Sequence, residues 1–157
     1  MKIKFLNSVK SIREIEGKIN RNLFWICGGV TIVIMTMKLV EFFSRGLFSP
    51  VGMTLLYLGI LIIYSFHKEL IRWLGEKGKI ERQGEYFVYG WIGFTTILYV
   101  INFFSRNYFS YSSKGEPLTI LQDISLISLE VLAIFIFTRC LKILKISLEK
   151  RKQSEKE

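Results

Sequence analysis

Hydrophobic and polar positions alternate along this chain on a scale of tens of residues, not of two or three. Asn22 to Phe43, Leu47 to Phe66, Tyr86 to Phe104 and Leu118 to Thr138 are almost uninterrupted apolar runs. Each is about 20 residues long, enough for a helix rising 1.5 Å per residue to cross a hydrocarbon layer of roughly 30 Å. A soluble bundle would show polar faces recurring at helical spacing inside these runs, and they are nearly absent. The pattern therefore predicts an all-α integral membrane protein with four transmembrane helices. Pro50 and Pro117 stand at predicted helix starts and no proline interrupts a run.

The chain matches itself at an offset of 61 positions, with Phe42–Ser49 reading FFSRGLFS and Phe103–Ser110 reading FFSRNYFS. The same offset places Gly29 on Gly90. The second helices match more weakly, Leu61, Ile63, Phe66 and Leu70 corresponding to Leu132, Ile134, Phe137 and Leu141 once extra residues around Tyr111 to Pro117 are allowed. The expected architecture is two tandem, similar hairpins of the same orientation, related by an axis along the membrane normal. Five segments follow: a basic amphipathic N-terminal segment 1–21, a first hairpin 22–66, a basic loop 67–85, a second hairpin 86–138 and a basic tail 139–157. Phe5, Val9, Ile12, Ile15 and Ile19 recur at helical spacing among basic residues, and Leu70 to Ile80 and Leu141 to Leu148 repeat that pattern. The first such flank suits a helix lying in the headgroup plane, and all three are expected to continue the membrane helices with snorkelling basic residues, the alternative being a docking surface for a cytoplasmic partner.

Charge then orients the four spans. Eighteen Lys and Arg residues fall in the N-terminal segment, middle loop and tail, against Arg45, Arg106 and Lys114 in the two other connections. Basic residues in short flanks are retained in the cytoplasm, so both termini and the middle loop are expected inside. The formal charge of +9 is absorbed by this topology and by attraction to anionic lipids, so no nucleic-acid partner is implied. A single alanine among abundant Ile, Lys and Phe fits an AT-rich prokaryotic genome, hence the inner, cytoplasmic membrane of a prokaryote. One domain of 157 residues points to assembly as a homo-oligomer or with other membrane subunits.

Candidate chemistry is confined to a few intramembrane polar residues. An ionised side chain near a bilayer centre costs about 2.5–3.5 kcal/mol on insertion scales and persists only with compensation. Glu130 lies nine residues before Arg139, hence about 13 Å along the axis and close to mid-depth. Asp123 is two turns beyond it. Lys38 and Glu41 on the first helix and Asn102 on the third complete the expected polar cluster, in which Lys38 pairs with Asp123 or with Glu41. Arg45, Arg106 and Trp73 are expected to contact lipid headgroups. Gly28, Gly29, Gly90 and Gly93 offer close approach between hairpins or between copies.

Cys27, Cys140 and the single His67 stand at no metal spacing, and no nucleophile–base pair or phosphate loop occurs. Neither an enzyme nor a metal or cofactor is expected. Two functions remain: a structural or accessory membrane subunit, or a small cation or proton transporter or oligomeric channel using the carboxylates of the fourth helix.

Overall fold

A computed structural model describes the backbone of residues 2–73 and 83–154 and the side chains of 15, 17–73, 84–151 and 154. The protein is an all-α membrane protein of four long helices: α1 Lys2–Phe43, α2 Met53–Trp73, α3 Gln83–Phe104 and α4 Ile120–Ser154, with a 3-10 turn at Tyr108–Ser110. Each helix contains a segment long and apolar enough to cross a membrane. Their backbone amides and carbonyls are satisfied within each helix, the condition for residence in hydrocarbon. The N-terminal segment continues α1 without a break. Its side chains Phe5, Val9 and Ile12, and 74–80 of the second amphipathic segment, lie outside the described residues.

The second span begins six residues later than the apolar run from Leu47 predicts. Gly46 and Gly52 adopt φ of +80° and +77°, and the chain between them, including Pro50, forms turns. Apolar composition shows only that Leu47, Phe48 and Val51 tolerate a greasy environment, and all three are exposed. The helix consequently extends to Trp73 and carries His67, Lys68, Glu69 and Arg72 in its last turns.

Helix α1 packs on α2 and α3 on α4, and α2 and α4 join the two hairpins, leaving α2 and α3 across the bundle from one another. The buried positions follow a 3.5-residue repeat: Cys27, Thr31, Ile34, Lys38 and Glu41 on α1, Tyr57, Leu61 and Tyr64 on α2, and Ile120, Ile124, Ile127 and Val131 on α4. That repeat is the seam of left-handed helix packing. Outward positions such as Leu55, Ile62, Ile97 and Phe103 are equally apolar.

The repeated FFSR segments fold into the same helix end. Gly46 N–H donates to the Glu41 carbonyl at 3.0 Å and Arg45 N–H to that of Phe42 at 3.1 Å; Asn107 and Arg106 reproduce both bonds to Asn102 and Phe103 at 2.8 and 3.0 Å. This 6→1 and 5→2 pairing is a Schellman cap. Its left-handed residue is Arg45 in one hairpin and Arg106 in the other, both at φ +54°. The next residue is also left-handed and is Gly or Asn, the two types that tolerate it. Away from this cap the hairpins differ: Lys38 is buried, whereas its counterpart Tyr99 is exposed.

A methyl group added at Gly46 would lie 3.1 Å from the Leu118 side chain in a backbone conformation L residues resist, whereas one at Gly52 would meet nothing. Gly46→Ala should therefore lower stability by about 1–2 kcal/mol or more, and Gly52→Ala by the backbone component alone. Denaturant titration in detergent with helicity as readout measures both; equal losses would remove the cap from its role in fixing the corner.

Candidate functional site

Polar side chains occupy the seam in three tiers. In the middle tier each helix contributes one. Trp91 Nε1–H of α3 donates to the Tyr57 hydroxyl of α2 at 2.7 Å, and both residues are fully buried. Thr31 of α1 donates to the Cys27 carbonyl at 2.7 Å and lies 3.5 Å from the same Tyr57 hydroxyl. Ser128 of α4 shares a 2.6 Å hydrogen bond with Thr95 and reaches the Trp91 carbonyl at 3.4 Å. The Trp91 and Tyr57 rings are also in tilted contact, centroids 5.6 Å apart. None of these four residues is charged, so residue type alone does not single them out in the sequence. Their common depth in the four apolar runs is the signal that points to them.

The second tier lies toward the interhelical loops. Lys38 Nζ donates to Glu41 Oε2 at 2.7 Å within α1, one turn apart, and both side chains are about 6% exposed. Asp123 is not its partner. That carboxylate is half-buried on α4 and accepts a long, 3.4 Å bond from Thr119. Depth along the spans alone allows Lys38 to pair with Asp123, but pairing also needs facing directions, and Glu41 at i+3 is the partner that Lys38 takes. Asn102 is buried as expected and donates to Asn107 Oδ1 at 3.1 Å and Ser110 Oγ at 2.9 Å, holding the second cap. Its own Oδ1 finds no partner among the described residues.

Glu130 is exposed, on the outer face of α4. Proximity to mid-depth does not amount to burial: the seam takes Ile127 and Val131 on either side and turns Glu130 outward. The expected five-residue cluster thus separates into the Lys38–Glu41 pair, the Asn102 cap and two carboxylates elsewhere.

Arg45 is turned onto the second hairpin's loop. Its Nε–H donates to the Tyr111 carbonyl at 2.6 Å and its Nη2–H to that of Ser112 at 2.5 Å, with the guanidinium 4.3 Å from the Tyr108 ring centroid. These partners belong to the second hairpin's loop, where Ser112 Oγ accepts from Lys114 N–H and Glu116 N–H at 3.2 Å each. Phe42 of α1 stacks on Phe109 beside it, centroids 4.7 Å apart. Arg106, the equivalent residue, is exposed, as is Trp73 at the end of α2. Among the glycines expected to bring backbones together, Gly28, Gly29 and Gly93 have no neighbour where a side chain would begin, and Gly90 touches only the tip of Met35.

At the third tier, where the chain termini lie, an ion pair within α2 is joined by one ion pair and one hydrogen bond between helices. Glu69 pairs with Arg72 on α2, Glu85 of α3 with Arg139 of α4, and Lys145 of α4 with the Arg72 carbonyl. The chain matches no protein-family model, no curated protein and no solved structure.

Removing one member of a buried ion pair strands the other, at a cost of about 3–5 kcal/mol. Lys38→Met should destabilise the bundle by that order, and a second change, Glu41→Leu, should recover most of the loss. Asp123→Asn in place of Glu41→Leu should recover none. Unfolding titrations of the single and double variants in detergent decide it; rescue by Asp123→Asn would reinstate the interhelical pair.

Proposed function

We propose that this chain is a non-enzymatic structural or accessory membrane subunit that assembles through the outer face of α4. The observation that carries this reading is the position of Glu130. Asp123, Leu126, Glu130, Ala133, Phe137, Cys140 and Leu144 recur alternately three and four residues apart, and all but the half-buried Asp123 are exposed. This is a second 3.5-residue stripe on a helix whose first stripe already faces the bundle. A face turned to lipid has no reason to hold carboxyl groups near mid-depth, where they are costly. A face covered by another helix does.

A second copy of this chain is the partner that the chemistry favours. Two copies in one membrane share orientation and are related by a twofold axis along the normal, so each stripe residue meets itself at the same depth. A carboxyl group accepts hydrogen bonds and, in its acid form, donates one; Glu130 is thereby complementary to its own copy. The 3.5-residue spacing supports the left-handed packing that the chain's own helices use, and Ala133 beside Glu130 permits close approach. The basic excess at the end with the termini supports a cytoplasmic placement of both termini, in a prokaryotic inner membrane. An ion path within one chain is disfavoured by the same geometry, because Glu130 does not face the bundle.

Cys140 is exposed on the stripe and Cys27 is buried, so the native sequence carries its own cross-linking probe. Mild oxidation of membranes should give a disulfide-linked dimer that Cys140→Ser abolishes and Glu130→Leu reduces several-fold, the weakening expected from losing about 1 kcal/mol of interhelical hydrogen bonding. A cysteine introduced at Leu55, on the outer face of α2, should not cross-link in the Cys140→Ser background. Cross-linking from Leu55 but not from Cys140 would move the interface away from α4. Proteoliposomes that conduct cations in wild type but not in Glu130→Gln, with assembly intact, would replace the subunit reading by the channel.

A further inference from the structure

At the end of the bundle where the termini lie, α2, α3 and α4 enclose a cavity of about 40 Å³. Its wall is graded: Leu61, Phe87, Val131 and Ile134 line one part and Lys68, Glu69, Arg72 and Arg139 the other. Two of the lining residues hold buried polar atoms with no partner among the described residues, the Tyr64 hydroxyl and Glu69 Oε2. Tyr64 is 2% and Glu69 4% exposed. Leaving both unsatisfied costs about 1–3 kcal/mol each, more for the charged carboxylate, so the space between them is built for a donor.

The chemistry of the wall identifies that donor. A carboxylate oxygen and a phenol, deep in a low-dielectric site, suit a primary ammonium group, which carries three donors and a positive charge. The Tyr64 ring face is electrostatically suited to a cation as well, and Lys68 Nζ lies 5.9 Å from its centroid. Arg72 and Arg139 each commit a terminal nitrogen to Glu69 Oε1 and Glu85 Oε1. Each guanidinium has five N–H donors, so both retain donors for a phosphate at the charged rim. The cavity has room for a few water molecules, about the dimension of an ammonium on its ethyl arm.

We propose that this cleft binds the head group of an aminophospholipid: its phosphate is held at the rim by Arg72 and Arg139, and its ethylammonium arm reaches inward to Glu69 and Tyr64. The occupant is a lipid and not a free phosphoamine because the wall continues into apolar side chains of a bundle that lies in the bilayer. The site is independent of the α4 assembly face, and its test does not depend on oligomeric state.

Native mass spectrometry of the purified full chain, offered equal amounts of phosphatidylethanolamine, phosphatidylcholine and phosphatidylglycerol in mixed micelles, reads the preference directly. Phosphatidylethanolamine should be retained about tenfold over the other two, which share its phosphate but lack a primary ammonium, as one charge-assisted hydrogen bond predicts. Glu69→Gln should abolish that preference, so that phosphatidylethanolamine is retained no more than phosphatidylglycerol. Tyr64→Phe, which removes only the hydroxyl, should reduce the preference several-fold and serves if Glu69→Gln loses helicity. Equal retention of the three lipids in wild type, as expected of a cavity holding only water, would overturn the proposal. So would an undiminished preference in folded Tyr64→Phe and Glu69→Gln, or displacement of the lipid by an equal concentration of soluble glycerophosphoethanolamine.

Discussion

The hydrogen bond from Trp91 to Tyr57 is the interaction around which this bundle is arranged. Between helices already surrounded by hydrocarbon, burying more apolar surface contributes little, so packing shape and the few directional bonds select one arrangement. The Trp91–Tyr57 bond spans the diagonal between α2 and α3, helices that are otherwise separated by α1 and α4. Two large rings can bridge that distance where backbones do not meet. Thr31 and Ser128 fill the remaining sides of the same level, and displacement of α2 would strand the Trp91 N–H on α3. The Lys38–Glu41 pair and the Asn102 cap lie toward the loops from this level, and the ion pairs of Glu69 and Glu85 toward the termini.

Depth was legible in the sequence and direction was not. The four spans follow from lengths of apolar residues, and the corner signature FFSR marks helix ends that the structure closes with the same two backbone bonds. Which face of each helix turns inward leaves almost no trace in composition, because inward Ile124 and outward Ile97 are chemically alike. A hydrocarbon solvent removes the polar face that reveals orientation in a soluble helix. The intramembrane residues show the consequence. Lys38, Glu41 and Asn102 are in the seam, Asp123 is at its edge and Glu130 is outside it, although depth alone grouped all five. The start of α2 was obscured for a related reason: Leu47, Phe48 and Val51 are apolar loop residues, and only the left-handed Gly46 and Gly52 separate them from the helix.

The two hairpins share a corner but use it differently. Arg45 and Arg106 occupy the same strained backbone position, one of the costs of a Schellman cap without glycine. In the first hairpin that strain is offset by two carbonyl contacts and an aromatic face; in the second the guanidinium is exposed. The difference arises from loop length. The connection after α3 runs to Ile120 and builds the turn around Ser112 that receives Arg45, whereas the connection after α1 ends at Met53.

The Arg45 contacts also bear on how the molecule is made. Arg45 and its acceptors on Tyr111 and Ser112 are separated by more than 60 residues and by two complete spans of α2 and α3. Both loops emerge at the bundle end away from the termini, so neither can meet the other until each hairpin has been threaded through the bilayer. Closure of Arg45 onto the second loop therefore marks the completion of insertion. A chain stalled after its first hairpin would display an unclasped arginine at that end of the bundle, a chemical difference between finished and unfinished protein.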